Sequence, residues 1–294
     1  MMRMRVSISV TDFSWRAKIP NSLAEIADAA DDAGIDTVWV PDHLLQADPT
    51  APADDRDMLE AYTTLGYLAA RTERVRLGAM VSAVTFRPPA LLVKAVTTLD
   101  VLTAGRAWLG IGAGYEGGEA FAMGLSMPPT AERFERLEET LRIAVAMWAG
   151  DESRIEGKHY RLEHPIGFPL PVSQPHPPIL VGGTGEAKTL RLVAQYADAC
   201  NLFDIPDGGA TLRRKLDVLA RHCDDVGRPF GEIEKTVSAR LNDGESAESI
   251  LDRCADFARF GIDHVVFIRT GAWSPDAMTS LASVIPRAKG LGIG

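Results

Sequence analysis

The chain has 294 residues, 46% of them hydrophobic and 24% charged, with a formal charge of -9. That length suits one large domain, since α/β barrels often run to about 250 residues as a unit. The negative charge argues against a nucleic-acid surface, no apolar run approaches the roughly 20 residues of a membrane span, and Met1 to Pro20 has no signal-peptide core. We therefore expect a cytoplasmic protein with a small-molecule substrate and no nucleic-acid or membrane partner. In chain order the pattern alternates strand and helix. Arg3 to Val10 reads as a first strand, followed by a helix with Leu23, Ile26, Ala27 and Ala30 on one face, stopped at Gly34. Thr37 to Val40 is a second strand, and Leu59, Tyr62, Leu65 and Ala69 mark its helix. Val75 to Val81 is a third strand, with Leu91, Leu92, Ala95, Leu99 and Leu102 on its helix. Ala107 to Gly112 is a fourth, and Phe134 to Trp148 a long helix with Thr130 as expected N-cap.

Asp151 to Pro178 breaks the rhythm, being rich in Pro, His and Gly; it reads as an insertion that helps shape a pocket. Ile179 to Val181, Ala199 to Phe203, Lys235 to Ala239 and His264 to Ile268 then give strands five to eight, each followed by an amphipathic helix. Ser274 and Pro275 start the last helix. Eight such pairs predict a parallel sheet closed as a TIM (β/α)8 barrel, a single domain over residues 1–294 with an insertion at about 151–178 before strand five. A doubly wound sheet would need an early glycine fingerprint, and Thr11-Asp12-Phe13-Ser14-Trp15 has none. Cys200, Cys223 and Cys254 are widely spaced and suggest neither a disulfide framework nor a metal knuckle.

Barrel chemistry sits at the C-terminal ends of the strands. The second strand ends in Asp42 and His43, a carboxylate and an imidazole suited to general acid–base work or to contacting a ligand; the bland reading is a histidine hydrogen-bonded into a loop. Gly110 to Gly118 holds five glycines in nine residues. It either lets a flat ligand approach the backbone or is a flexible loop, and its polar groups are Tyr115, Glu116 and Glu119. Glu119 reads as a solvated residue at a helix start. Gly182-Gly183-Thr184-Gly185 lies between a buried strand and a helix N-terminus, where backbone N–H groups and the helix dipole favour an anion such as phosphate; a tight turn capped by Thr184 is the alternative. It lacks the lysine of a P-loop. Asn201 ends strand six. His159, His164 and His176 fit no zinc spacing, so no metal is expected.

Several runs together resemble the luciferase-like monooxygenases. They are Trp39-Val40-Pro41-Asp42-His43, Leu77-Gly78-Ala79-Met80-Val81-Ser82 with Thr85-Phe86-Arg87-Pro88-Pro89, and Leu109-Gly110-Ile111-Gly112-Ala113-Gly114-Tyr115-Glu116. Ala131 to Glu139 belongs with them. Ile179 to Asn201 is similar to the branch that uses the deazaflavin coenzyme F420. The resemblance covers nearly the whole chain, and its specificity lies in the order and spacing of loose motifs. It implies a TIM-like barrel with F420, or alternatively FMN, across the strand ends, and a homodimer. It puts Asp42 and His43 at the reacting centre, a non-proline cis peptide at Met80–Val81 behind the ring, Ala113 and Gly114 along the cofactor, and Gly182 to Gly185 on its phosphate. Hydride transfer would use His43 for the accompanying proton, Asp42 to orient it, and Tyr115 or Glu116 in place of a missing carboxylate. The sugar-phosphate dehydrogenases of the family carry glutamate where this chain has Tyr115, and a tryptophan where it has Leu44-Leu45-Gln46-Ala47. Both departures count against glucose-6-phosphate as substrate. Other readings are an FMN monooxygenase, a non-catalytic flavin-binding protein and a metal-dependent barrel hydrolase.

Overall fold

A computed structural model describes residues 4–15, 18–47, 56–115 and 117–291. The first half runs β1 (Arg5–Ser9), α1 (Ile19–Ala33), β2 (Thr37–Val40), α2 (Ala61–Ala69), β3 (Arg76–Ala79), β4 (Ser82–Ala83), α3 (Pro89–Leu102), β5 (Ala107–Gly112), α4 (Gly117–Ala122) and α5 (Thr130–Trp148). A small hairpin of β6 (Ile155–Glu156) and β7 (Arg161–Leu162) follows. The second half is β8 (Ile179–Gly182), α6 (Thr189–Tyr196), β9 (Ala199–Phe203), α7 (Ala210–Val226), β10 (Glu234–Leu241), α8 (Ala247–Arg259), β11 (His264–Arg269) and α9 (Pro275–Ala288).

The large sheet is parallel throughout, in the order β3-β2-β1-β11-β10-β9-β8-β5-β4, and β3 also pairs with β5. That last pairing closes the barrel. The expected third strand is two pieces. Gly78 faces Trp108, yet Ser82 faces Ile111, so four steps on one strand match three on its neighbour. One extra residue is a bulge, and it lies at Met80–Val81, whose peptide bond is cis. From Leu77 to Val81 the run has no polar residue and carries no register information, so the break is invisible in sequence.

Two cores hold the molecule. Between barrel and helices, Ile8, Leu65, Leu77, Leu92 and Leu109 are fully buried, and each contributes about 1.5–3 kcal/mol. Inside the barrel, Trp39 and Trp108 pack with Leu180, Ala199 and Val266, with Met80 and Val81 against them. The two indoles lie 5.6 Å apart, centroid to centroid. They explain Gly78, where a Cβ would stand 2.7 Å from the Trp39 ring and 2.8 Å from the Trp108 Cβ. α1 stops where predicted, because Gly34 turns at φ 75° and its N–H caps the Ala30 and Asp31 carbonyls. α2 starts two residues later than expected, since the Glu60 side chain caps it by accepting from the Thr63 N–H. Thr130 is the first residue of α5 and not its cap, which is Pro129.

Residues 151–178 join a helix to a strand. They therefore lie at the N-terminal end of the barrel, away from the strand ends that carry chemistry. Glu139 on α5 accepts from the Lys158, His159 and Tyr160 N–H groups. Asp100 on α3 accepts from the Val172 and Ser173 N–H groups and the Ser173 hydroxyl. His176 stacks on Trp148 at 5.4 Å.

Candidate functional site

The C-terminal mouth of the barrel opens into a cavity of about 720 Å³, within the size range of about 300–1,000 Å³ usual for small-molecule sites. Strand ends supply its wall: Ser9 and Thr11 after β1, Asp42 and His43 after β2, Met80 and Val81 between β3 and β4, Gly112 to Tyr115 at β5, and Gly182 and Gly183 at β8. Asn201 and Phe203 on β9, Ser238 and Arg240 on β10 and Ile268 on β11 complete the ring. The expected pocket-shaping role of the insertion is not what the structure shows: residues 151–178 contribute nothing to this wall. A segment entering a barrel strand from its helix reaches only the opposite end.

His43 is held by a partner that sequence reading sets aside. Glu119, on the short α4, is 4% exposed and not solvated. Its Oε2 lies 2.7 Å from His43 Nδ1, and its Oε1 accepts from the backbone N–H groups of Leu44 and Leu45. A carboxylate receiving two N–H donors is acceptor-only, so Nδ1 carries the proton facing it. Nε2, which is the acceptor in the neutral ring with that tautomer, lies 3.4 Å from the Tyr115 hydroxyl. Nothing in the local sequence announces this pair; the two residues stand 76 positions apart.

The buried Asp42 carboxylate, expected to orient His43, bonds to Arg87 instead, in a two-pronged bond at 2.5 Å and 3.0 Å, and Arg87 continues to Glu60, the cap of α2. The Tyr62 ring packs beneath the guanidinium, and its hydroxyl bonds Ser82 at 3.0 Å. Burial, followed by the Asp42 charge, pushes the Tyr62 phenol up, and Ser82 and Arg87 only partly oppose this. The ion pair ties the β2 loop to the segment after β4.

Val81 sits in a slot between two glycines. A Cβ on Gly182 would stand 2.7 Å from Val81 Cγ1, and one on Gly112 would stand 3.0 Å from Cγ2. Ala113 and Gly114 also line the cavity, and their carbonyls accept from Arg133 on α5. Asn201 is fixed by Thr236, whose hydroxyl donates to Oδ1 at 2.8 Å, and by Ser238 at 3.0 Å from Nδ2. Of the glycine-rich loop, Gly182 and Gly183 reach the cavity, whereas Thr184 and Gly185 lie just outside its wall. Gly183 turns at φ 114°, where a side chain would be strained. Lys215 donates to the Thr184 carbonyl at 2.7 Å and pairs with Glu186 at 2.9 Å. The Lys215 bond, with Arg214 and Arg221 nearby, lowers the Glu186 carboxyl. Tyr115 is exposed at the rim, and Glu116 lies outside the described residues.

Sequence reasoning also passes over Arg133, Phe203, Ser238, Arg240 and Ile268, which the barrel brings into the same wall. Their residue types do not announce chemistry, and only the position at a strand end would single them out. Among the described residues there is no cluster of three His, Cys, Asp or Glu able to hold a metal, and no helix long and apolar enough to cross a membrane.

A family profile described as luciferase-like monooxygenase matches residues 4–272. An F420-dependent glucose-6-phosphate dehydrogenase of Kineococcus radiotolerans is 31% identical over 276 residues, covering 91% of this chain and 77% of the relative. Another enzyme of that name, from Nakamurella multipartita, is 35% identical over 274 residues, covering 91% and 76%. Among solved structures, an F420-dependent secondary alcohol dehydrogenase in complex with an F420–acetone adduct superposes with a TM-score of 0.84. It is 17% identical and covers 98% of this chain and 99% of that one, a likeness of fold.

Proposed function

The chain belongs to the luciferase-like monooxygenase family, and on that premise we propose that it is an oxidoreductase moving a hydride between coenzyme F420 and a small organic substrate. The observation that carries the reading is the slot at the bulge. Val81, bracketed by Gly112 and Gly182, makes a side-chain-poor wall in the same cavity as His43. A flat ring system needs such a wall, and a Cβ at either glycine would displace Val81. The residues present therefore fit a deazaflavin, and the F420-dependent relatives support that choice over FMN.

When bound, the deazaflavin supplies a two-electron hydride carrier. Met80 and Val81 would back the ring, and Ala113 and Gly114 would run along it. Gly182, Gly183, Thr184 and Gly185 would hold the phosphate with the N-terminus of α6, and the Asn201 amide would face the cofactor. His43 takes up or gives the accompanying proton at Nε2. Glu119 keeps that nitrogen in the accepting form, the role the sequence suggests for Asp42. The Tyr115 hydroxyl, 3.4 Å from Nε2, would pass a proton to or from it. A cytoplasmic homodimer goes with this reading; exposed Tyr67 on α2 and Leu91 and Leu102 on α3 are the apolar groups it would cover.

The test is a fluorescence titration of the pure protein with F420 and, separately, with FMN. Tight binding of F420 alone is expected. Binding of FMN alone would replace this reading by a flavin monooxygenase, and binding of neither would remove the cofactor assignment.

A further inference from the structure

We propose that the substrate is an uncharged, largely apolar alcohol–carbonyl couple, and that the cavity selects against phosphorylated substrates. The inference rests on the cofactor reading above and adds the substrate class.

Among the described residues, four formally charged side chains line the cavity: Asp42, Glu119, Arg133 and Arg240. Two acids therefore meet two arginines, with no lysine among the described residues of the wall. Asp42 is held by Arg87. Glu119 is held by His43 and two backbone N–H groups. Arg133 donates to the carbonyls of Ala113, Gly114 and Pro128 and to the Thr130 hydroxyl. Arg240 reaches the Arg269 carbonyl at 3.3 Å. A phosphate monoester would have to draw an arginine away from these partners and displace its own hydration, and burying an anion without a partner is strongly unfavourable. The loop after β8 suits an anion, and on the cofactor reading above the coenzyme would take it.

The rest of the wall suits an uncharged body. Met58, Phe86, Met127, Phe134, Phe203 and Ile268 present apolar surface to the cavity. Beside His43 and Tyr115, the wall offers the Ser9, Thr11 and Ser238 hydroxyls and the Asn201 amide, which carry no formal charge. Such groups recognise a hydroxyl or a carbonyl without demanding charge. In the oxidation direction a bound deazaflavin would supply the hydride acceptor for the carbinol carbon. The hydroxyl gives its proton to His43 Nε2, and the C–O bond becomes C=O. Reduction runs the same atoms backwards.

The experiment uses the F420-loaded enzyme with cyclohexanol, 1-phenylethanol and glucose-6-phosphate, after a titration that establishes F420 binding. The expected result is turnover of an uncharged alcohol with kcat/KM about 100-fold or more above glucose-6-phosphate, and no inhibition of that reaction by inorganic phosphate. Phe203→Ala should raise KM for the alcohol about tenfold without altering F420 affinity. Failure of F420 to bind would overturn the cofactor reading and this inference with it. F420 binding together with glucose-6-phosphate turnover, with competitive inhibition by phosphate, or with inertness towards both alcohols would overturn the substrate class alone.

Discussion

Replacing Glu119 by glutamine changes one atom's chemistry and keeps the shape. In the native chain the carboxylate accepts from His43 Nδ1 at 2.7 Å and from the Leu45 N–H at 2.9 Å, with the Leu44 N–H beside it. A glutamine can offer its oxygen to those two N–H groups, which leaves its NH2 pointing at Nδ1. Two donors then face each other unless the imidazole moves its proton to Nε2. That nitrogen could no longer accept the proton released with the hydride. Positioned acid–base groups contribute about 10²–10⁴ in rate, so kcat should fall at least about 100-fold in Glu119→Gln. The loss of the carboxylate's charge should weaken its hydrogen bonds by about 1.5–3 kcal/mol in stability. The rate is read from the deazaflavin absorbance under saturating substrate, with His43→Ala alongside as the limit. That limit variant should lose turnover similarly while keeping nearly unchanged affinity for the coenzyme. Nitrogen NMR of the imidazole reads the tautomer without any substrate. A Glu119→Gln enzyme that keeps kcat within about threefold of native, or whose Nε2 remains unprotonated, would refute the argument.

Arg87→Met should strand the Asp42 carboxylate, which is 2% exposed, and lower unfolding stability in urea by about 3–5 kcal/mol; a change below about 1 kcal/mol would mean that Asp42 finds another partner. Asp100→Ala should uncap the Val172 and Ser173 N–H groups and destabilise the fold by about 2–4 kcal/mol, leaving F420 affinity within about twofold because the insertion is remote from the mouth; a tenfold loss of affinity would contradict that separation. Acid should weaken the far end of the barrel. Burial alone would raise the Asp36 carboxyl, but His264, Arg76 and Arg5 outweigh it and hold the group at about 2. Glu234 is held low in the same way, by its bond to His264 after burial is overcome. Groups lowered on folding contribute stability above their unfolded pKa and lose it as pH falls through the folded value, so the unfolding free energy should drop between about pH 5 and 2. Asp36 accounts for about 2 kcal/mol of that drop, and an equally steep profile in Asp36→Asn would count against it.

Much of the barrel was legible because its signals are local. Each buried strand is a short apolar run and each helix repeats its apolar face, so eight units could be marked before any contact was known. The strand-end rule then brought His43, Met80, Val81 and Gly182 into view as one candidate neighbourhood. What stayed hidden was pairing across the mouth. Glu119 lies on α4 after β5 and His43 on the loop after β2, with the whole of β3 and β4 between them. An acid beside a helix start looks solvated until the barrel closes over it. Asp42 was assigned to its neighbour in sequence, whereas Arg87, 45 residues on, has the geometry to grip both of its oxygens. The insertion shows a different kind of loss. Its composition said loop, but only its place between helix and strand says which end of the barrel it serves.

The paired indoles inside the barrel have an optical consequence. Trp39 and Trp108 pack against Met80 and Val81, so a conjugated ring resting on those two residues would stand within energy-transfer range of both. Tryptophan emission would then fall as the mouth fills. The protein carries a label-free reporter of its own occupancy, placed by the same packing that closes the floor of the site.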